Sequence, residues 1–501
     1  MEVPYEYQLA LADYWEGRPT REPNVWVPGL PLQMTVAAPA SNSDLVVSST
    51  GQQQLVQEST HNQHAVEVEQ VFNEVTQSLK QTVDNMAMKM HLFPPNMEDL
   101  ASYKAPKVVS IGPYHHGESE ALKQMESIKH AAAVHFIDNT DHSIQEVYGA
   151  VCVVAEEARG YYEEDKMRTA SDDDFKHMLF FDGCFLLQYM LFWCRRVDGE
   201  EDETTVDVDP SLHSVFSSSD SRIFCDVVLL ENQLPWVVVD TLKKLMSPPM
   251  SMEKFIGRVK LNSLHTRQEL SFEYPTLDEN YKPPHLLGFL RHYIVGNADS
   301  TTQVSESAVI SDKVKKVSWS VSVVELAEIG IEVTPNDTKE ELKKMGIKRS
   351  FFTGELFLAS VSLDDANATF LVNMAVFEMC TTPDFSPPPD DMSTVCSYLC
   401  LLGMVTDSES EVQELRRKHI LEGGAGLTNE GVLKLFTGLE KHLRPGRRYF
   451  DTVLAIESYR SDRWWWIKFY RFGYRNQTAI IAVLTTIAGV AGFLGTLKSF
   501  Q

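Results

Sequence analysis

The chain lacks a phosphate loop, a G-x-G-x-x-G fingerprint and a nucleophile elbow. Gly423-Gly424-Ala425-Gly426 resembles a phosphate cradle in glycine content alone, because no Lys-Ser/Thr follows it. Nucleotide-driven and acyl-transfer chemistry therefore have no support in the motifs. Positive charge is also scarce. The 501 residues hold 45 Lys and Arg against 70 Asp and Glu, a formal net of −25. Nucleic acid needs clustered cations to bind its phosphates, so it is excluded as the expected partner. Cysteine is sparse and odd in number: Cys152, Cys184, Cys194, Cys225, Cys380, Cys396 and Cys400 are mostly set in apolar helical sequence. That pattern reads as buried thiols in a reducing compartment and not as a disulfide framework. Cys396-x-x-x-Cys400 puts two thiols on one helical face, but no second ligand pair completes a zinc site. No internal repeat occurs, and the first residues, MEVPYEYQLALADYW, lack the basic segment of a cleaved secretory signal.

One long uncharged run is present. Asn476 to Leu497, 22 residues, carries no Asp, Glu, Lys or Arg. As a helix it spans roughly 33 Å, enough for a hydrocarbon core of about 30 Å. The residues before it interleave cations with rings: Arg463, Trp464, Trp465, Trp466, Lys468, Arg471 and Arg475. Amphipathic aromatics and cations of this kind settle at headgroup depth, so membrane lipid is an expected partner. Lys441 to Arg475 holds nine Lys and Arg against Asp451, Glu457 and Asp462, a basic stem under an acidic body. Basic flanks upstream and Lys498 alone downstream predict a cytosolic body on a single-pass anchor, with the plasma membrane as its expected site; the alternative, an external body, would be reported by glycosylation at the sequons Asn336-Asp337-Thr338 and Asn367-Ala368-Thr369. Ala488, Ala491, Gly492 and Gly495 supply small residues on helix faces, which suits self-association through the span.

The fold class read from periodicity is mainly α: a large helical body with a small β element, followed by a single C-terminal transmembrane helix. Residues 1–60 mix Pro, Ser, Gln and Thr and read as a disordered arm. Residues 61–92 read as an amphipathic helix, with Val68, Phe72, Val75, Leu79, Val83, Met86 and Met90 on one stripe and Pro94-Pro95 as the stop. The body is 93–460, the interfacial belt 461–475 and the span 476–497. Within the body, helices are expected at 120–138, 143–164, 175–196, 285–295, 321–329, 367–380, 392–405, 408–421, 428–443 and 448–474. The run 223–240 reads as helix, break, helix with Pro235 in the first turn of the second. Residues 175–196 are apolar nearly all round but contain Asp182 and end in Arg195-Arg196, which marks a buried central helix in place of a second span. The strand candidates are 351–363 and an extended stretch at 107–111 closed by Gly112-Pro113.

Two short words carry the candidate function: Gly112, Pro113, Tyr114, His115, His116 and Gly117, and then Glu231, Asn232, Gln233 and Pro235. His115, His116 and Glu118 are the best enzyme candidates, since imidazoles beside a carboxylate hold metal or move protons. Adjacent side chains of an extended segment point to opposite faces, however, so the expected role is a turn with backbone-bonded histidines. Glu231-Asn232-Gln233 at a helix break is expected to satisfy exposed backbone groups. No cofactor or metal is implied.

VVSIGPYHHGE, MLFFDGCFLLQYM, DVVLLENQLPWVVVDTL, HLLGFLRHY and SVVELAEIGIEV, in this order before a C-terminal apolar span, resemble the plant family called domain of unknown function 247. The resemblance covers about Phe93 to Gln501. Ala327 stands where members commonly carry a basic residue, and no Pro-Trp pair follows Tyr470. The resemblance implies a membrane-associated protein without established catalysis. Some grass members are implicated as pollen-side determinants of self-incompatibility, so it also implies a protein partner, in that case a stigma protein. The alternatives are a metal-dependent enzyme using His115, His116 and Glu118, or a membrane-tethered scaffold.

Overall fold

A helix without a polar face has to be surrounded on all sides, and residues 172–195 form such a helix. In the computed structural model, which describes residues 71–77, 86–168, 171–195, 208–264, 274–296, 321–336, 341–350, 353–382, 392–423, 426–465, 467–468, 476, 481–483 and 485–488, it lies at the centre of the body. Three carboxylates, Asp172, Asp173 and Asp174, sit in its first turn, where they favour the positive end of the helix dipole. Phe175, Leu179, Cys184, Phe185, Leu187 and Met190 are all fully buried. The helices around it are α1 (Glu120–Gln124), α2 (Glu126–Asp138), α3 (Ile144–Arg159), the central α4 (Asp172–Arg195), α5 (Pro210–Val227), α6 (Trp236–Lys243) and α7 (Met252–Ser263). α2, α3, α5, α6 and α7 all pack on α4. Its length and composition would let it cross a membrane, yet protein covers it.

The second half adds α8 (Leu286–Val295), α9 (Val323–Glu328), β1 (Ile331–Pro335), β2 (Gly346–Arg349), β3 (Gly354–Leu358), β4 (Val361–Ser362), α10 (Asp365–Thr381), α11 (Thr394–Met404), α12 (Glu409–Arg417), β5 (Leu421–Glu422), α13 (Asn429–Glu440) and α14 (Arg447–Asp462). The three-stranded sheet has the order β1-β3-β2, with β1 parallel and β2 antiparallel to β3. β4 and β5 pair in parallel as a separate ribbon. The protein is thus mainly helical with a small β element.

Four differences from the expected elements have local causes. The helix expected over 120–138 breaks at Met125 into α1 and α2. α3 begins with a capping box between Ser143 and Glu146 and stops at Arg159, five residues early. α12 ends at Arg417 and His419 takes a positive φ of 60°, which turns the chain so that Leu421–Glu422 pairs with β4 instead of prolonging the helix. Pro235 lies just before α6, with extended backbone, and the Trp236 N–H donates to the Pro284 carbonyl.

The chain divides between Asn85 and Met86. In the first unit, residues 71–77 are helical, with Val71, Phe72 and Val75 exposed. In the second, residues 87–97 contain no α-helix, although the apolar stripe extends to Met90. Met90 donates its N–H to the Tyr161 carbonyl and accepts the Tyr114 hydroxyl, so its backbone is committed to the body and cannot continue a helical ladder. The expected arm over 1–60 lies outside the described residues.

Candidate functional site

The run Lys107-Val108-Val109-Ser110-Ile111-Gly112 reads as a strand, but among the described residues no strand pairs with it. Its donors bond buried side chains instead. Asp226, near the end of α5, accepts from the N–H groups of Lys107 (3.0 Å), Val108 (2.6 Å) and Val109 (2.9 Å). Asn232 accepts from Ile111 (2.6 Å) and donates to the carbonyls of Val109 (3.0 Å) and Asp226 (2.9 Å). Asp182, in mid-α4, accepts from Gly112 (2.9 Å) and pairs with the fully buried Lys129 at 2.6 Å. Burial alone would lower the Lys129 ammonium, but the charges of Asp182 and Glu126 outweigh it and hold the amine above its ordinary value. Burial pushes the Asp226 carboxyl up, while the three N–H donors pull against that.

The two motif words therefore meet face to face. Gln233 donates to the carbonyls of Val227 (2.7 Å) and Leu229 (2.8 Å) and accepts from the Leu287 N–H (2.9 Å). Its own carbonyl takes the Tyr162 hydroxyl at 2.8 Å. Gly112 sits against that carbonyl with φ of 75°, and a Cβ there would lie 2.6 Å from the oxygen. Glu231 accepts from the Phe93 N–H at 2.6 Å, pairs with Lys104 at 3.3 Å and holds His115 Nε2 at 3.1 Å. The expectation that Glu231-Asn232-Gln233 satisfies backbone groups at a helix break matches these bonds.

His115 behaves differently from its expected backbone bonding. Its Nδ1 meets Glu118 at 2.6 Å while Nε2 meets Glu231, so both ring nitrogens face carboxylates. Burial would depress the imidazole, but hydrogen bonds to Glu231 and Glu118 prevail and raise it above its ordinary value. The hydrogen bond to His115 in turn lowers the Glu118 carboxyl. Arg168 closes the group, donating to Glu118 at 3.0 Å and to the Tyr114 carbonyl at 2.8 Å. When the ring is protonated, each N–H donates to one of these carboxylates and no lone pair is left over. It works as a clamp joining the turn at 113–118 to the break at 231 and, through Arg168, to the entry of α4. His116 is half-buried and its Nδ1 has no hydrogen-bond partner. Among the described residues no three of His, Cys, Asp and Glu stand together in a way that would hold a metal ion.

Sequence reading missed Asp226, Lys129, Asn373 and Glu378, and it used Asp182 only to reject a membrane span. Asn373 accepts from the Leu230 N–H (2.8 Å) and donates to the Tyr103 carbonyl (3.0 Å). Glu378 binds Arg291 and takes the N–H groups of Val395 and Cys396 at the start of α11. The available signal was an ionisable or amide residue inside an apolar run, which requires a buried partner. A cavity lined by Phe136, Asn139, Gln188, Leu191, Met246 and Ser247 has a volume of only about 10 Å³, room for roughly one water, and contains none of these motif residues. Burial pushes the Cys225 thiol up to about 11 and the Cys194 and Cys380 thiols up to about 12, which disfavours the nucleophilic thiolate at these three.

At the other end of the body, Trp464 and Trp465 are 50% and 71% exposed, and the Lys468 ammonium lies 3.7 Å from the Trp464 ring centre. Residues 481–483 and 485–488 are helical, and each of them is exposed, including Ile481, Val483, Ile487 and Ala488. Trp466, Arg471, Arg475, Ala491, Gly492 and Gly495 lie outside the described residues.

Residues 90–491 match the sequence profile of a family described as plant protein of unknown function. A UPF0481 protein of Arabidopsis thaliana is 26% identical over 379 residues, 73% of this chain and 75% of that protein. No solved structure matches the chain.

Proposed function

This chain belongs to the plant DUF247 family, and from that membership we propose that it is a membrane-anchored recognition protein whose helical body binds another protein and carries out no catalysis. The exposed apolar helical residues 481–483 and 485–488 carry the reading. Ile481, Val483 and Ile487 are 57–59% exposed in a run of 22 uncharged residues, a surface that water penalises and acyl chains accept. The exposed Trp464 and Trp465 directly before it suit headgroup depth. The absence of catalysis is supported by the employment of the motif residues. Asp226, Asn232, Gln233 and His115 are bonded to the body's own backbone and side chains, so they hold a fold together and leave recognition to its surface.

A cytosolic body is supported by two further observations. All seven cysteines are free, in keeping with a reducing compartment. The sequon Asn367-Ala368-Thr369 is sealed: Asn367 is 1% exposed, accepts the Ser263 hydroxyl and bonds the Asn262 carbonyl, so a glycan there is incompatible with the fold. Asn336, in the second sequon, is half-buried and donates to the Lys344 carbonyl. Within the recognition class, the narrower role of a pollen-side self-incompatibility determinant rests on family resemblance and requires an external body. Glycosidase treatment of protein made in plant cells separates the two topologies. We expect no change in mass; a shift that disappears in Asn336→Gln places the body outside. Recovery of the full chain in the detergent-free soluble fraction overturns the anchor itself.

A further inference from the structure

We propose that the β2 edge of the sheet and the last turns of α14 form a second membrane contact, a surface that binds the headgroups of anionic phospholipid and sets the body's orientation on the bilayer. The proposal deepens the anchor reading and rests on it.

β2 is an outer strand of the sheet and exposes Lys348 and Arg349, the type of charged edge that discourages strand pairing and offers cations outward. The strand is fastened to α14. Arg349 donates to the Ala455 carbonyl at 2.8 Å and lies 3.6 Å from Asp462, and Arg463 donates back to the Ser350 carbonyl. The Arg463 guanidinium also covers the Tyr459 ring at 4.7 Å. The next residues are the exposed Trp464 and Trp465, with Lys468 stacked on them. Lys348 and Arg349 on β2, Arg460 in the last turn of α14, and Arg463 and Lys468 after it thus lie on two adjoining segments, with the indoles between the last two. The carboxylates facing them are Glu355, Glu457 and Asp462. Glu355 accepts the Thr334 hydroxyl, Glu457 pairs with Arg460 and Asp462 with Arg349. A local excess of positive charge remains on a chain whose total is −25. Each cation near an anionic surface contributes roughly a fivefold preference, which would be weak for a free protein. Here the indoles and the span hold this end of α14 at the membrane, so the high effective concentration makes the weak contacts count.

The test incorporates the full-length protein into vesicles of phosphatidylcholine alone and of phosphatidylcholine mixed with phosphatidylserine, then compares flotation and backbone amide exchange. We expect flotation with both and several-fold slower exchange at Gly346–Arg349 on the serine lipid alone, with the difference lost in K348E/R460E. Neither side chain is in the core, and K348Q serves as a milder second variant, expected to shrink the difference. Equal exchange on both vesicles overturns the inference and leaves the anchor standing. Flotation with the serine lipid alone removes the anchor and retains the headgroup contact. No flotation with either removes both.

Discussion

At the scale of single residues, Gly112 and His115 make opposite demands on the chain. Gly112 combines a left-handed backbone with a carbonyl where its Cβ would lie, whereas Gly117 has φ of 65° and open space around it. Gly112→Ala should therefore cost about 2–4 kcal/mol, backbone strain plus overpacking, and Gly117→Ala about 1–2 kcal/mol from strain alone. Denaturant midpoints of the two variants check this, and equal losses would contradict the steric argument. The His115 clamp has a pH signature whose sign follows from its two shifts. A raised imidazole stabilises fully below its unfolded value of 6.5 and loses that contribution as pH rises through its higher folded value. A lowered Glu118 stabilises above 4.5 and loses its contribution as pH falls through its lower folded value. The stability gap between the native chain and His115→Gln should thus be widest between these two values and shrink at alkaline pH. A gap that is flat from pH 5 to pH 9 on thermal melts would show that the ring is not protonated in the fold. Both histidines and Glu118 were visible in the sequence as candidates, but the second partner of His115 was not, because Glu231 is brought to it from a distant part of the chain.

At the scale of elements, the extended segment at 107–112 shows how a strand-like sequence can be satisfied without a sheet. Three buried side chains, Asp226, Asn232 and Asp182, supply the acceptors that a neighbouring strand would otherwise provide. Asp226→Ala leaves the N–H groups of exposed Lys107, half-buried Val108 and buried Val109 without this acceptor, and a loss of about 1–3 kcal/mol is expected, chiefly from Val109. Amide exchange at Lys107, Val108 and Val109 should accelerate together; unchanged exchange would mean that water or another group replaces the carboxylate. Most helices were legible because their apolar positions repeat at helical spacing, and α4, α8, α10 and α11 lie close to where periodicity put them. β2 and β5 were not legible. Gly346–Arg349 has no alternation to mark it, and Leu421–Glu422 becomes a strand through the turn at His419 and the presence of β4 beside it.

At the scale of the whole molecule, an acidic helical body ends in a basic, aromatic stem and an apolar helix with no protein cover over its described residues. Ile487→Asp tests whether lipid is that cover. A carboxylate near the centre of a span costs about 3 kcal/mol on insertion, so the variant should shift from the membrane fraction toward the soluble one. If the helix lies in water, an exposed Ile487→Asp exchange changes neither fractionation nor stability. The sequence by itself determined the features that local chemistry can write: helical periodicity, the uncharged run, the charge asymmetry and the family words. The tertiary structure alone decided what those words are for. Beside local bonds such as His115 to Glu118, the polar residues inside them have partners more than a hundred residues away, and only the folded body brings Asp226 to Val108, Asn232 to Ile111 and Glu231 to His115. Buried polar groups must find such partners or forfeit stability. The two words are therefore joined by a long-range hydrogen-bond network, which no local reading of the chain could have closed.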